Sequence, residues 1–214
     1  MLHFKNIFCF FILALFATNT FALSYNTHGQ TGLIKLPSAE VHDEQSIYLT
    51  FNRSTYSKIA TITVTPFNWM EASYFYYRPD DLLWGTTQGL YLDKGFNVKF
   101  SYTPKSSKYP TFAIGLDDFA GTGQFTREYL VSTYDFNNIK LTTGIGWGKY
   151  VGESSFSNPL ELLNEKFRYR SIFSDKDDLG GNPSYDLWFR GDTTLFGGIE
   201  FKLNKIKNLS FKLE

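Results

Sequence analysis

The sequence predicts an all-β fold: an antiparallel outer-membrane β-barrel, or part of one, with about nine or ten strands. Phe, Tyr and Trp make up 19% of the 214 residues, with 22 Phe and 14 Tyr, and these residue types favour strands over helices. Apolar and polar residues also alternate with period two through most of the chain, as in strands with one apolar face. The chain starts with an export-type segment, and outer-membrane barrels combine export with alternating strands of about 9–11 residues.

Residues 1–22 predict a cleaved signal peptide. Lys5 supplies positive charge, residues 7–17 form an apolar run of 11 residues, and cleavage is expected after Ala22. An uncleaved membrane anchor is disfavoured because a spanning helix needs about 20 apolar residues. The one cysteine of the chain, Cys9, lies in this run and lacks a Leu-x-x-Cys motif for lipid attachment. The mature chain therefore has no thiol for disulfides, zinc binding or catalysis.

The remaining chain divides into a lead-in, residues 23–44, and a strand-rich portion, residues 45–214. Nine segments of the second part alternate with period two: residues 47–52, 57–65, 69–78, 96–102, 110–116, 124–134, 139–148, 193–203 and 209–214. The segments before and after residues 135–138 predict a hairpin, because Asp, Asn and Asn occupy the turn between them.

Residues 139–148 indicate which face of the sheet points inward. Leu141, Ile145 and Trp147 share one face, whereas Gly144 and Gly146 lie on the other. Glycine in a strand is tolerated where another group approaches the backbone closely. We therefore expect the glycine face to point into the barrel and Ile145 to face lipid.

Aromatic residues at the strand ends distinguish a membrane barrel from a soluble β-sandwich, which alternates in the same way. Barrels in the outer membrane have aromatic girdles at both interfaces. The residues that predict such girdles are Trp69, Tyr77, Tyr102, Tyr134, Trp147 and Tyr150.

Two stretches lack strand alternation. The lead-in predicts irregular structure because glycine and proline interrupt it. The long loop, residues 153–192, carries one helix signal, with Asn158 as the cap and Pro159 at the first helical position. The apolar stripe expected on this short helix is formed by Leu160, Leu163 and Phe167.

Charge and the titratable residues argue against several function classes. The 21 basic and 21 acidic residues balance, so nucleic-acid binding is not expected. His28 and His42 have no partner at metal-ligand spacing and are expected at the surface. Asp117 and Asp118 end a strand, and a turn-capping role is favoured. We predict neither a catalytic constellation nor a metal or cofactor site.

Two alternatives to the barrel remain open. One is a soluble secreted β-sandwich that binds glycan through Tyr185, Trp188 and Arg190, which combine stacking with hydrogen bonding; Asp118 completes this candidate glycan-binding set. The other is a carbohydrate-active enzyme that uses Asp118 and Glu128 as its pair of carboxyl groups.

An ordered series of motifs resembles the YjbH-type exopolysaccharide biosynthesis family. The central motif is Gly-Leu-Asp-Asp-Phe-Ala-Gly-Thr-Gly-Gln-Phe at residues 115–125, followed by Glu-Tyr-Leu-Val-Ser at residues 128–132. Further matching stretches are residues 31–39, 91–100, 144–148, 156–160, 188–192 and 195–198. The resemblance spans most of residues 29–214.

The resemblance implies a Gram-negative outer-membrane β-barrel that assists biosynthesis or export of an exopolysaccharide or capsule without catalysis. It also implies outer-membrane lipids, the polysaccharide and companion lipoproteins as partners. The chain departs from the family pattern because family members are several-fold longer and many are lipoproteins. Nine strands is moreover an odd number, whereas single-chain bacterial barrels have even numbers. We therefore expect residues 45–214 to be a truncated, N-terminal part of a longer barrel.

Overall fold

The computed structural model describes residues 24–80, 83–84, 89–121, 123, 125–136, 138–171, 181–203 and 209–214. The predicted signal peptide lies outside these residues. The strands are β1 (Ser46–Arg53), β2 (Ser57–Phe67), β3 (Met70–Pro79), β4 (Leu83–Trp84), β5 (Gly89–Leu90), β6 (Asp93–Tyr102), β7 (Thr111–Asp117), β8 (Arg127–Phe136), β9 (Ile139–Gly146), β10 (Thr194–Lys202) and β11 (Ser210–Leu213). Short 3₁₀ helices occupy Gly148–Tyr150, Pro159–Leu162 and Glu165–Phe167. Among the described residues, no helix has the length and apolar character needed to cross a membrane.

Nine of the strands form one antiparallel sheet in the order β1-β2-β3-β6-β7-β8-β9-β10-β11, and β4 and β5 form a separate two-stranded antiparallel sheet. The all-β antiparallel architecture predicted from the alternation is thus confirmed, and each of the nine predicted segments forms a strand of the large sheet. The register shifts once between β2 and β3, next to Pro66, which has no N–H to donate to a neighbouring strand. Strands β1 and β11 are the two edges, and the sheet is not closed within the described residues.

One face of the nine-stranded sheet is apolar and exposed. Every strand of the sheet contributes at least one large exposed side chain: Ile47, Leu49, Phe51, Ile62, Tyr74, Tyr76, Phe96, Phe100, Tyr102, Phe112, Ile114, Leu130, Phe136, Ile139, Leu141, Leu195, Ile199, Phe201, Phe211 and Leu213. We call this surface the apolar face. Along each strand these residues alternate with residues of the opposite side. Across neighbouring strands they lie opposite one another, as Leu49 and Ile62 do, so the apolar face is continuous from β1 to β11.

The opposite face is polar and covered. Its buried side chains include Thr61, Thr63, Glu71, Ser73, Asn97, Lys99, Asp117, Thr133, Lys140 and Thr142. The described part of the lead-in, residues 24–44, lies across this surface, which we call the covered face. Thr63 Oγ1 donates a hydrogen bond of 2.7 Å to Gly29 O, and Lys212 Nζ donates one of 2.9 Å to Gly32 O. Strands near both edges of the sheet thus hold the same short segment, so the sheet curves around it.

The glycines of β9 lie on the covered face, as the alternation predicted. A Cβ atom on Gly144 would lie 2.3 Å from Cζ of Phe196, and one on Gly146 would lie 2.9 Å from Tyr150. The Phe196 and Tyr150 rings stack with centroids 5.1 Å apart. Aromatic rings of this protein therefore fill the space that the missing side chains leave.

Trp147 differs from its predicted position. We expected it on the same exposed face as Ile145, but β9 ends at Gly146 and Trp147 is only 1% exposed. Its ring packs edge-on against Phe189, with centroids 5.2 Å apart. Trp147 is therefore covered by the long loop, whereas Trp69 and Tyr102 of the predicted girdle are exposed.

Two further expectations are corrected. The predicted helix after Asn158 is a 3₁₀ turn: the Asn158 side chain accepts from Leu160 N at 3.0 Å, but Leu163 of the expected stripe is 80% exposed. Without packing for its stripe, a longer helix gains no stability. His42 is buried rather than at the surface, with its ring 4.4 Å from that of Tyr25 and 4.5 Å from that of Tyr48.

Candidate functional site

The two ends of the sheet differ in the length of their connections. The three longest connections, residues 80–92, 118–126 and 147–193, all lie at one end, which we call the long-loop end. The opposite end has tighter connections, including residues 68–69 between β2 and β3 and residues 137–138 between β8 and β9. Because loops positioned on a rigid sheet are where binding residues concentrate, the long-loop end is the candidate site.

Arg170 fixes the long loop to the sheet. Its guanidinium donates to Glu128 Oε2 at 2.6 Å and to Glu128 Oε1 at 3.0 Å, a bidentate geometry that fits a carboxylate. It also donates to Leu187 O at 2.9 Å and to Thr126 Oγ1 at 2.8 Å. Phe189 N donates to Glu128 Oε2 at 3.0 Å, so both oxygens of this buried carboxylate are occupied.

The Glu128 contacts also locate the long loop relative to the two faces. Glu128 and Leu130 share one side of β8, and Leu130 belongs to the apolar face. Arg170 and Phe189, which bind Glu128, therefore lie on the apolar-face side at the long-loop end. Trp147, which contacts Phe189, is covered by the same arrangement.

A cleft of about 770 Å³ opens within this anchored loop. Its volume falls in the range of about 300–1,000 Å³ that is typical of ligand sites. Backbone and small side chains line part of it, together with six charged residues: Lys149, Arg168, Arg170, Arg190, Glu161 and Asp192. Tyr169, which also lines the cleft, is 74% exposed.

A second, smaller cavity of about 90 Å³ lies at the same end, and Lys149 lines both. Asp117, Asp118 and Arg127 are among its other lining residues. Arg127 Nε donates to Asp117 Oδ2 at 2.6 Å, so Asp117 is paired.

Asp118 is the unusual group of the smaller cavity. Its φ of 53° is in the left-handed region, and its carboxylate accepts from Phe125 N at 3.3 Å, which is the capping role that the sequence favoured. Its Oδ1 is buried and has no hydrogen-bond partner among the described residues. It lies within 2.2 Å of the positions that Cβ atoms on Gly95 and Gly121 would take. Burial, followed by the charge of Asp93, raises the pKa of Asp118 to about 8.

The structure separates the four residues of the predicted glycan-binding set. Arg190 lines the large cleft and Asp118 lines the smaller cavity. Tyr185 and Trp188 pack edge to face with centroids 5.3 Å apart. They belong to the loop segment that binds Glu128 through Phe189, and neither ring lines either cavity.

The sequence did not single out Lys149, Arg168 or Tyr169, which surround the cleft with Arg190. For Arg168 the sequence signal is the basic character of residues 166–170, which appears only as scattered charge in a long loop. Lys149 and Tyr169 lie near this cleft without a signal of their own in the sequence. Across the described residues, no group of three His, Cys, Asp or Glu side chains is placed to hold a metal ion.

Comparison with known proteins gives one family and one curated relative. The family model YjbH, described as "Exopolysaccharide biosynthesis protein YbjH", matches residues 24–214. A protein of Escherichia coli (strain K12) named "Uncharacterized lipoprotein YjbH" is 28% identical over 186 residues, which are 84% of this chain and 26% of that protein. The chain thus spans about a quarter of the length of this curated relative. No solved structure matches the chain.

Proposed function

The chain belongs to the YjbH exopolysaccharide biosynthesis family, and from this membership we propose that it forms part of an outer-membrane β-barrel that assists exopolysaccharide biosynthesis or export without catalysis. The observation that carries this proposal is the distribution of polarity between the two faces of the sheet. The exposed face carries large apolar side chains on all nine strands. The buried charged and hydroxyl side chains of the sheet, apart from Glu128 at the long-loop end, lie on the covered face.

A sheet that faces water on one side normally buries its apolar side chains and exposes the polar ones. The soluble β-sandwich alternative requires that arrangement, with a second sheet packed over the apolar face. Here the polar face is covered and the apolar one exposed. Each large side chain left in water forgoes about 1.5–3 kcal/mol of burial, so lipid is the solvent that stabilises this face.

The connections favour one orientation in the membrane. Outer-membrane barrels have short periplasmic turns and longer extracellular loops. The long-loop end is accordingly the extracellular end in our proposal. At the opposite end the exposed Trp69 stacks on Phe67 at 5.1 Å and lies 6.1 Å from Phe100, as expected for aromatic residues at a membrane interface. Tyr185 and Trp188 would lie near the other interface.

A non-enzymatic role is supported by the two carboxyl groups of the enzyme alternative. Both oxygens of Glu128 accept hydrogen bonds from Arg170, and one also accepts from Phe189 N. Asp118 is enclosed in a different cavity from the large cleft. Paired acids for sugar hydrolysis must face one substrate across about 5–10 Å, and neither residue opens onto the cleft. The polysaccharide and companion envelope lipoproteins are the partners that we propose.

Site-directed spin labelling of the mature chain, residues 23–214, in lipid vesicles tests the proposal. The matched pair of positions is Leu130, on the apolar face, and Thr133, on the covered face of the same strand. Since Cys9 is the chain's one cysteine and lies in the predicted signal peptide, Leu130→Cys and Thr133→Cys each introduce a unique label in the mature chain. We expect oxygen collision rates typical of lipid at position 130 and a protein-buried signal at position 133.

Membrane insertion is measured on the same samples. Leu130→Arg should weaken folding into vesicles by about 2–4 kcal/mol if position 130 is near the bilayer centre, and the exposed turn variant Lys108→Arg should not. A chain that fractionates with the soluble periplasm, or labels whose accessibilities are reversed, would refute the proposal.

A further inference from the structure

We propose that the large cleft at the long-loop end binds the carboxylate-bearing sugar units of an acidic glycan. This inference rests on the proposed function and specifies the chemistry of the polysaccharide that the protein would meet. The residues that we assign to recognition are Lys149, Arg168, Tyr169 and Arg190, with Glu161 and Asp192 beside them.

Arg190 is the principal anchor for a carboxylate. Among the described residues, its guanidinium has neither a hydrogen-bond nor an ion-pair partner, although it lines the cleft. An arginine fork matches a carboxylate with two parallel hydrogen bonds, which is stronger and more directional than contact with a neutral hydroxyl. The adjacent Arg170 is unavailable for this purpose because Glu128 and backbone carbonyls occupy its donors.

The floor of the cleft is rigid, which reduces the cost of binding. Asn158 Nδ2 donates to Phe167 O at 2.9 Å and to Phe189 O at 2.8 Å, so it joins the two sides of the loop. Gly191 N donates to Phe167 O at 2.9 Å. Together with Arg170, these contacts hold the backbone on which Arg168 and Arg190 are carried.

The rim combines stacking with both signs of charge. Arg168 lies 5.5 Å from the centroid of the exposed Tyr169 ring, which offers a flat apolar surface to a sugar ring. Arg168 Nε is 3.9 Å from Glu161 Oε2. Lys149 lies between the two cavities, with its Nζ 5.8 Å from the ring centroid of Phe125 in the smaller one. The acidic side chains can accept hydrogen bonds from sugar hydroxyls, whereas the basic ones select the charged units.

The charge balance favours an acidic over a neutral glycan. Four basic and two acidic side chains line the cleft. Glu128 neutralises Arg170, and Glu161 lies 3.9 Å from Arg168, so Lys149 and Arg190 remain against Asp192 alone. A neutral sugar would leave Arg190 partly desolvated and without a counter-charge, at a cost in free energy. Preference for an acidic sugar therefore follows from a guanidinium whose hydrogen bonds to a carboxylate are stronger than those to a neutral hydroxyl.

The test measures binding of a galacturonic acid hexamer to the full chain in detergent micelles by isothermal titration calorimetry. The control ligand is the same hexamer with every carboxylate methyl-esterified. We expect the acid form to bind at least tenfold more tightly, with affinity that falls as salt is raised. Arg190→Gln should weaken binding of the acid form at least tenfold, and Tyr169→Ala should weaken both forms. Arg53→Gln, at an exposed arginine outside the cleft, should change neither.

Three outcomes would overturn the inference: equal binding of acid and ester, no detectable binding of either, or unchanged binding by Arg190→Gln. A further binding measurement uses lipopolysaccharide vesicles, because their headgroup phosphates are also anionic. If these bind while the galacturonate hexamer does not, the cleft recognises lipid phosphate and the glycan assignment is wrong. Vesicle insertion measured separately keeps the outcomes distinct: insertion without galacturonate binding contradicts only this inference, and binding without insertion contradicts only the membrane proposal.

Discussion

The buried ion pair between Glu71 and Lys99 should control whether the lead-in stays on the covered face. Lys99 Nζ lies 3.0 Å from Glu71 Oε1 and donates to Thr31 O at 3.1 Å. Thr31 N donates to the Glu71 carboxylate at 3.1 Å, and Thr31 Oγ1 donates to it as well. Both charged side chains are 1% exposed or less, so water cannot replace either partner. The perturbation that we predict from this geometry is Glu71→Gln.

The expected cost is about 3–5 kcal/mol, the usual effect of leaving one member of a buried pair uncompensated. Gln at position 71 still accepts from Thr31, so the loss comes mainly from the unpaired ammonium of Lys99. Lys99→Met removes that ammonium, and the double variant should therefore lose at least 2 kcal/mol less than the sum of the two single losses. The control is Glu161→Gln, at a partly exposed pair with Arg168 that is 3.9 Å apart, where a change below about 1 kcal/mol is expected.

Urea unfolding in detergent micelles, followed by tryptophan fluorescence, gives the free energy of unfolding of each variant. Limited trypsin digestion reports on the lead-in itself, because the exposed Lys35 follows Thr31 closely. Glu71→Gln should make the bond after Lys35 cleavable before the strands unfold. If Glu71→Gln unfolds within 1 kcal/mol of the parent and Lys35 stays resistant, the pair does not hold the lead-in and the reasoning is refuted.

Three further substitutions test other parts of the structure. Because the pKa of Asp118 is raised to about 8 by burial and by a nearby acid, the folded state binds its proton more tightly than the unfolded chain. Stability should then fall between about pH 4 and pH 8, by at most about 5 kcal/mol, and Asp118→Asn should flatten this dependence in unfolding curves; an unchanged slope contradicts the assignment. Gly144→Ala should lower the free energy of unfolding by about 1–3 kcal/mol, because the added methyl group clashes with Phe196, and Phe196→Leu should partly restore it. The control Gly152→Ala should leave this free energy unchanged, since no atom lies within 4 Å of its Cβ position. Gln45→Gly should raise the free energy of unfolding by about 0.5–1 kcal/mol in the same assay, because Gln45 has a φ of 61° that glycine adopts without strain. A lower free energy of unfolding would show that the Gln45 side chain compensates for the backbone strain.

Strand positions could be predicted from the sequence because the alternation is local. In β2 the exposed Ile62 and the covered Thr63 differ by one position, and the same contrast repeats along the chain. The pattern also predicts which residues share a face, as Gly144 and Gly146 do. Surroundings beyond the strand ends depend on long-range contacts instead: β9 ends at Gly146, and the next residue, Trp147, packs against Phe189 of the long loop.

The covering of the polar face could not be predicted, because its contacts join residues far apart in the chain. The lead-in is held largely through its backbone, as in the hydrogen bond of 2.9 Å from Ala39 N to Thr133 Oγ1. Because any residue type can make a backbone contact, the sequence of the lead-in does not reveal these hydrogen bonds. The cleft is similar: Arg190 was singled out for its chemistry, but its neighbours Arg168 and Tyr169 are brought to it by the pairing of Arg170 with Glu128.

The position of the lead-in bears on how the protein would assist a polysaccharide. Transport along the covered face would require a polar path between the strands, but residues 24–44 occupy that face and bind strands from β2 to β11. The space beside Gly144 and Gly146 of β9 is occupied by Phe196 and Tyr150, so a ligand has no access to the backbone there. A glycan passing there would have to displace the buried Glu71–Lys99 pair and its Thr31 contacts. In the part of the chain that the structure describes, contact at the long-loop end therefore requires the least rearrangement, and Glu71→Gln should open the covered face without altering the cleft.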